Sequence, residues 1–132
     1  MRLFWMMIAV AFLPGGAVAQ QMDCSAPETQ TDMTLCAKQE WVSADEELNG
    51  AYQEAIAWMK RTDAALDAAD RGAEEALRAG QRAWVEFRDN ACLAEAYPFT
   101  GGSIQPMVQW DCMARLTWAR VGDLYVLVDQ SR

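Results

Sequence analysis

Residues 33–59 read MTLCAKQEWVSADEELNGAYQEAIAWM, and their spacing decides the fold. The apolar positions are Met33, Ala37, Trp41, Ala44, Leu48, Tyr52, Ala55 and Met59. Steps of three or four residues keep all of them on one face of an α-helix, which turns once in about 3.6 residues. Upstream, Ser25 and Glu28 have the S-x-x-E spacing of a capping box, and Pro27 suits a first turn. Thr29 is a second candidate cap. These signals predict a first helix over about 28–61.

Thr62 and Asp63 reopen the pattern, and Leu66, Ala69, Ala73, Leu77, Gly80, Trp84, Phe87, Ala91 and Ala94 continue it. A second helix is therefore expected from Asp63 onward. Asp63, Asp67 and Asp70 lie near its start, where the helix dipole favours negative charge. Gly72 and Gly80 weaken it by about 1 kcal/mol each against alanine. With few large apolar groups, 63–79 is expected to be the most exposed and mobile stretch. Residues 96–106 (AYPFTGGSIQP) break the period with two prolines and two glycines and form a loop. A third helix over about 107–129 carries Val108, Cys112, Leu116, Ala119, Leu124 and Leu127 on its face, and Ser131 and Arg132 form a frayed end. No strand-like alternation competes. The first two helices share a very short connection and form an antiparallel hairpin, with the third packing across it. The expected fold is all-α, a small antiparallel three-helix bundle made of a long helical hairpin plus a third helix.

The N-terminus carries a different signal. Arg2 precedes the apolar run Leu3–Leu13, Pro14-Gly15-Gly16 breaks that run, and Ala17-Val18-Ala19 is a small-x-small cleavage site. Eleven apolar residues fall short of the roughly 20 that span a bilayer. Residues 1–19 read as a secretory signal peptide cleaved after Ala19, leaving 20–132 as a single domain, periplasmic or secreted, with no stable membrane insertion. In an oxidising compartment the four cysteines, Cys24, Cys36, Cys92 and Cys112, form two disulfides. Three pairings exist. Cys24–Cys36 and Cys92–Cys112 are favoured because each closes a local loop. A four-cysteine zinc site would need closely spaced pairs, which the sequence lacks.

Composition narrows the chemistry. The chain of 132 residues has 19 acidic and 11 basic residues and no histidine. A formal charge of -8 argues against nucleic acid as a partner. Without histidine, Ser-His and Cys-His catalysis and His-based metal sites are excluded. No metal or cofactor is called for. The carboxylate pairs Glu46/Glu47, Glu74/Glu75 and Asp67/Asp70 raise a two-carboxylate hydrolase, but they mostly fall on exposed, solvated faces, whereas a catalytic carboxylate needs a perturbing environment. The chain reads as a non-enzyme.

Polar residues break the apolar stripes at particular places. Asp45, Asn49 and Tyr52 share one face of the first helix, and Gln81, Trp84 and Arg88 share one face of the second. If the two helices pair, Arg88 meets Asp45 or Asn49, and Arg120 joins from the third. A buried arginine must be paired, so a register-fixing hydrogen-bond network is the structural reading and a binding pocket the functional one. These residues sit in an ordered pattern: an N-terminal cysteine pair, AD-x-x-LN-x-x-Y from Ala44 to Tyr52, and Q-R-x-W-x-x-F-R-D-x-x-C from Gln81 to Cys92. A GGS segment at 101–103, Cys112 and T-x-x-R at Thr117–Arg120 complete it. Across residues 23–127 the chain resembles the LprI-like lysozyme-inhibitor domain family. The resemblance implies an exported helical domain that inhibits a lysozyme.

Two sets of residues are candidate contacts. Trp41 and Trp84 fall on core stripes, whereas Trp58, Trp110 and Trp118 fall beside them and are candidate interface anchors. The loop offers aromatic groups at Tyr97 and Phe99 and hydroxyls at Thr100 and Ser103. These four either insert into a glycan cleft or simply cap the bundle. The leading expectation is a muramidase inhibitor, steered to a basic lysozyme by its charge. The alternative is a non-catalytic cell-envelope adaptor.

Overall fold

The structure is a computed structural model that describes residues 23–129. The segments expected to be a signal peptide and a frayed C-terminus lie outside those residues. The described residues form three α-helices, α1 (Gln30–Ala65), α2 (Ala73–Ala96) and α3 (Gln105–Asp129), with a short 3-10 turn at Tyr97–Phe99. Two disulfides, Cys24–Cys36 and Cys92–Cys112, staple them.

Thr29, not Ser25, caps α1. Its hydroxyl accepts the backbone N–H of Asp32 at 3.1 Å, and the Asp32 carboxylate accepts the N–H of Thr29 at 3.0 Å. Each side chain thus satisfies a backbone donor at the helix start. The bond also holds the Asp32 carboxyl below its usual range.

The expected start of α2 at Asp63 is a correction. Asp63 lies in the last turn of α1, and the chain leaves the helix over 66–72. The Asp63 carboxylate reaches forward to accept the N–H groups of Gly72 and Ala73 at 2.9 Å each and of Glu74 at 3.0 Å. A carboxylate at the C-terminal end of its own helix is unfavourable. Three charge-assisted bonds to the orphan donors of the next helix outweigh that. Residues 64–72 are exposed, but Leu77 is buried, so the expected exposure of 63–79 is found only in its first part.

The three bonds, that to Gly72 foremost, depress the Asp63 pKa below 3.8. A depressed folded-state pKa stabilises the fold above the unfolded value and loses that contribution as pH falls through the folded one. Asp63→Ala is therefore expected to lower Tm by a few degrees at neutral pH. The two melting curves converge as pH falls below about 4. Parallel curves down to strong acid would disprove the cap.

Consecutive helices run antiparallel, but α3 lies alongside α1 rather than across the hairpin, and this pair makes the most extensive contact. The Trp118 indole donates to Glu40 at 2.7 Å, and the Tyr125 hydroxyl donates to Glu47. Both pairs are 78 residues apart, so α1 and α3 run parallel in constant register. Small residues allow the approach: Ala37, Ala44, Ala51 and Ala55 of α1 are at most 6% exposed. The main core joins Leu48, Ala51, Ala55 and Ile56 to Leu77, Val121 and Leu124. A second cluster surrounds the inner disulfide, with Met113 buried and Trp41, Trp110 and Leu116 packed around it.

The buried stripe of α2 is rotated from the one its apolar spacing suggests. Leu77, Arg88, Cys92 and Ala96 are buried, whereas Phe87 is 60% exposed and Ala94 and Gly80 face solvent. In α3, Ala119 is exposed, and Thr117 and Val121 take the interior positions.

Candidate functional site

The polar groups of the three helices meet inside the bundle. Arg88 donates through Nε to Asp89 at 2.9 Å and through Nη1 to Asp45 at 3.3 Å and Thr117 at 3.4 Å. Its guanidinium stands 5.2 Å from the Trp84 ring centroid, and that of Arg120 stands 6.0 Å away. Arg120 Nε donates to the Gln81 carbonyl oxygen at 3.0 Å. Asp45, Gln81, Trp84, Arg88 and Arg120 are therefore brought together. Asn49 is not: it lies exposed on α1. Tyr52 packs against the main core instead. Thr117, fully buried, is the member that the sequence reading left out, although T-x-x-R placed it one turn before Arg120. Arg88 is 6% exposed and Thr117 0%, so the centre of this network is closed to a macromolecular partner.

The opposite holds at the end of the bundle where α2 passes into α3. Tyr97 is 67% exposed, Phe99 41% and Ile104 36%. From the neighbouring helix ends come Leu93 at 45%, Leu35 at 46% and Met33 at 37%. Exposed apolar side chains are common on protein surfaces, and Phe87 and Val126 are exposed elsewhere on this one. Local hydrogen bonds shape this loop. The Thr100 hydroxyl donates to the Tyr97 carbonyl at 2.6 Å, and Thr100 N–H donates to the same oxygen. Gly102 N–H donates to the Phe99 carbonyl, and Gly101 N–H donates to the Gln105 side chain at 3.3 Å. Gly101 has φ +84°, a conformation that side chains with Cβ rarely adopt. The Cys92–Cys112 bridge, with Cα atoms 5.4 Å apart, clamps the helices on either side. The result is a turn held by its own hydrogen bonds, with both aromatic rings exposed. Ser103 lines an adjacent cavity of about 240 Å³ with Gln30, Thr31, Thr34, Leu35 and Pro106.

The tryptophans divide by geometry. Trp41 and Trp110 stack at 4.9 Å beside the inner disulfide, and Trp58 lies beneath Arg61 at 5.4 Å. All three are half-buried, whereas Trp118 is 41% exposed with its indole N–H fixed by Glu40. The carboxylate pairs are spread over the helices and the α1–α2 connection. Glu46, Asp67 and Asp70 are exposed, Glu47 accepts from Tyr125, Glu74 pairs with Arg78 and Glu75 with Arg82.

The sequence pattern of the family described as "Lysozyme inhibitor LprI" matches residues 22–124. An uncharacterized protein of Rhizobium meliloti (strain 1021) is 39% identical over 121 residues, spanning 89% of this chain and 87% of that relative. No solved structure gives a significant match.

Proposed function

From the premise that this chain belongs to the LprI lysozyme inhibitor family, we propose that it binds a basic lysozyme or related muramidase and blocks the glycan cleft with the 97–104 end of its bundle. Export through residues 1–19 into the periplasm or beyond is part of the same reading, and the two disulfides fit it. The observation that carries it is the set of exposed apolar side chains at one bundle end, led by Tyr97 and Phe99 on a self-bonded, disulfide-clamped turn. A pre-ordered turn loses little entropy on insertion, and aromatic anchors dominate interface energies. The net charge of -8 draws the inhibitor to a basic partner and raises the association rate at low salt. The protein acts by occupying the cleft and catalyses nothing.

The test is a cell-wall lysis assay with the purified, oxidised domain against basic c-type and g-type lysozymes. Saturable inhibition near stoichiometric protein, weakening with added salt, is the expected result. Tyr97→Ala is expected to weaken inhibition by about 2 kcal/mol, roughly thirtyfold, with Tm unchanged because the side chain is exposed. A folded protein with no inhibition at tens of micromolar would replace this reading with that of a cell-envelope adaptor.

A further inference from the structure

α1 and α2 make the least extensive contact of the three helix pairs, and an open groove of about 420 Å³ lies between them. Tyr52, Arg78, Gln81, Arg82 and Val85 line it. Arg82 lies about 22 Å from Tyr97 along the helix axis, so the groove is separate from the proposed cleft-blocking end.

The lining is rich in hydrogen-bond donors. Guanidinium groups have no acceptor. The Gln81 carbonyl oxygen accepts from Arg120 Nε at 3.0 Å, and its NH2 donates to no protein group among the described residues. Arg78 gives Nε and Nη2 to Glu74 at 2.9 and 2.7 Å and keeps Nη1. Arg82 gives one Nη2 bond to Glu75 at 3.2 Å, in a pair whose side chains are 68% and 73% exposed. An ion pair that wet is weak and exchanges readily. The Tyr52 ring and Val85 supply an apolar wall beside these donors. Two arginines and a donor amide converge here in a chain of strongly negative charge.

We propose that this groove binds a compact organic anion, its oxyanion head held by Arg82 and the Gln81 NH2 and its apolar body against Tyr52 and Val85. The incoming anion displaces Glu75 from Arg82 and gains a planar fork of N–H donors. A carboxylate and a phosphate share this chemistry.

Amide chemical-shift titration of the free, oxidised protein separates the two and does not depend on lysozyme inhibition. The probes are benzoate, phenyl phosphate and the uncharged benzamide. Saturable shifts at Tyr52, Gln81, Arg82 and Val85 are expected with benzoate or phenyl phosphate and not with benzamide, and the anion that binds identifies the head group. Arg82→Ala is expected to weaken that binding roughly tenfold without changing Tm. Three results would overturn the proposal: no saturable shift with either anion up to about 20 mM, equal shifts with benzamide, or unchanged binding by Arg82→Ala.

Discussion

Arg88→Ala is expected to lower the unfolding free energy by about 3 kcal/mol and Tm by roughly 15 °C in a domain of this size. The Arg88 side chain is 7% exposed, whereas those of its carboxylate partners, Asp45 and Asp89, are 38% and 52% exposed. That asymmetry decides where the loss falls. Without Arg88 both carboxylates turn to water, so no charge is stranded inside. The loss comes from the void left beside Trp84 and from Thr117, fully buried, losing the guanidinium it accepts from. Asp45→Ala costs less, about 1 kcal/mol, because Arg88 keeps Asp89 and Thr117. Arg88→Lys falls between them, since one ammonium cannot reproduce the planar fork that reaches Asp45, Asp89 and Thr117 together. Urea unfolding followed by far-UV circular dichroism ranks the three variants. If Arg88→Ala melted with the parent protein yet failed to inhibit, Arg88 would belong to a binding surface and the structural assignment would be wrong.

Removing the inner bridge with Cys92→Ala/Cys112→Ala is expected to cost about 4 kcal/mol and to abolish inhibition. A cross-link between residues 20 apart contributes about 3 kcal/mol through the unfolded state. The rest is lost packing, because Cys92 and Cys112 are 0% and 1% exposed beneath Trp41, Trp110 and Met113. The outer bridge joins residues 12 apart, and a logarithmic dependence on loop length makes the two cross-links differ by only about 0.5 kcal/mol. Burial breaks the tie. Cys24 is exposed and ties only the segment before α1, so Cys24→Ala/Cys36→Ala has the smaller effect on Tm and spares inhibition. The inner variant also releases the clamp on which Tyr97 and Phe99 are presented. Thiol titration of the native protein under rising reductant gives a second readout: two thiols appear first, from the outer bridge. Four appearing together, or an inner variant of unchanged Tm, would contradict this account.

Much of this molecule is legible in local spacing. The stripe from Ala37 to Met59 places α1, and the Pro/Gly-rich stretch after Ala96 places the loop. Four cysteines whose neighbouring pairs are 12 and 20 residues apart favour the two bridges that form. The gap between the first two helices is harder to see. Leu66 and Ala69 prolong an apolar period that the backbone abandons, because Asp63 reaches nine to eleven residues ahead to cap the next helix. The Ser25/Glu28 box loses to Thr29/Asp32 for a similar reason, as both pairs satisfy the same spacing rule and only one sits where the chain turns.

The sequence alone determined that there are three helices and where the aromatic turn falls, and it favoured the two bridges without settling their pairing, because each depends on residues within about 20 of one another. The tertiary structure decided the parallel seating of α3 on α1, the rotation of α2 that buries Arg88 and exposes Phe87, and the exposure of Tyr97 and Phe99 on their turn. Helical periodicity ranks faces by how apolar they are. Whether a charged face can be buried depends on acceptors that other helices bring to it, and for Arg88 those are Asp45 from α1 and Thr117 from α3.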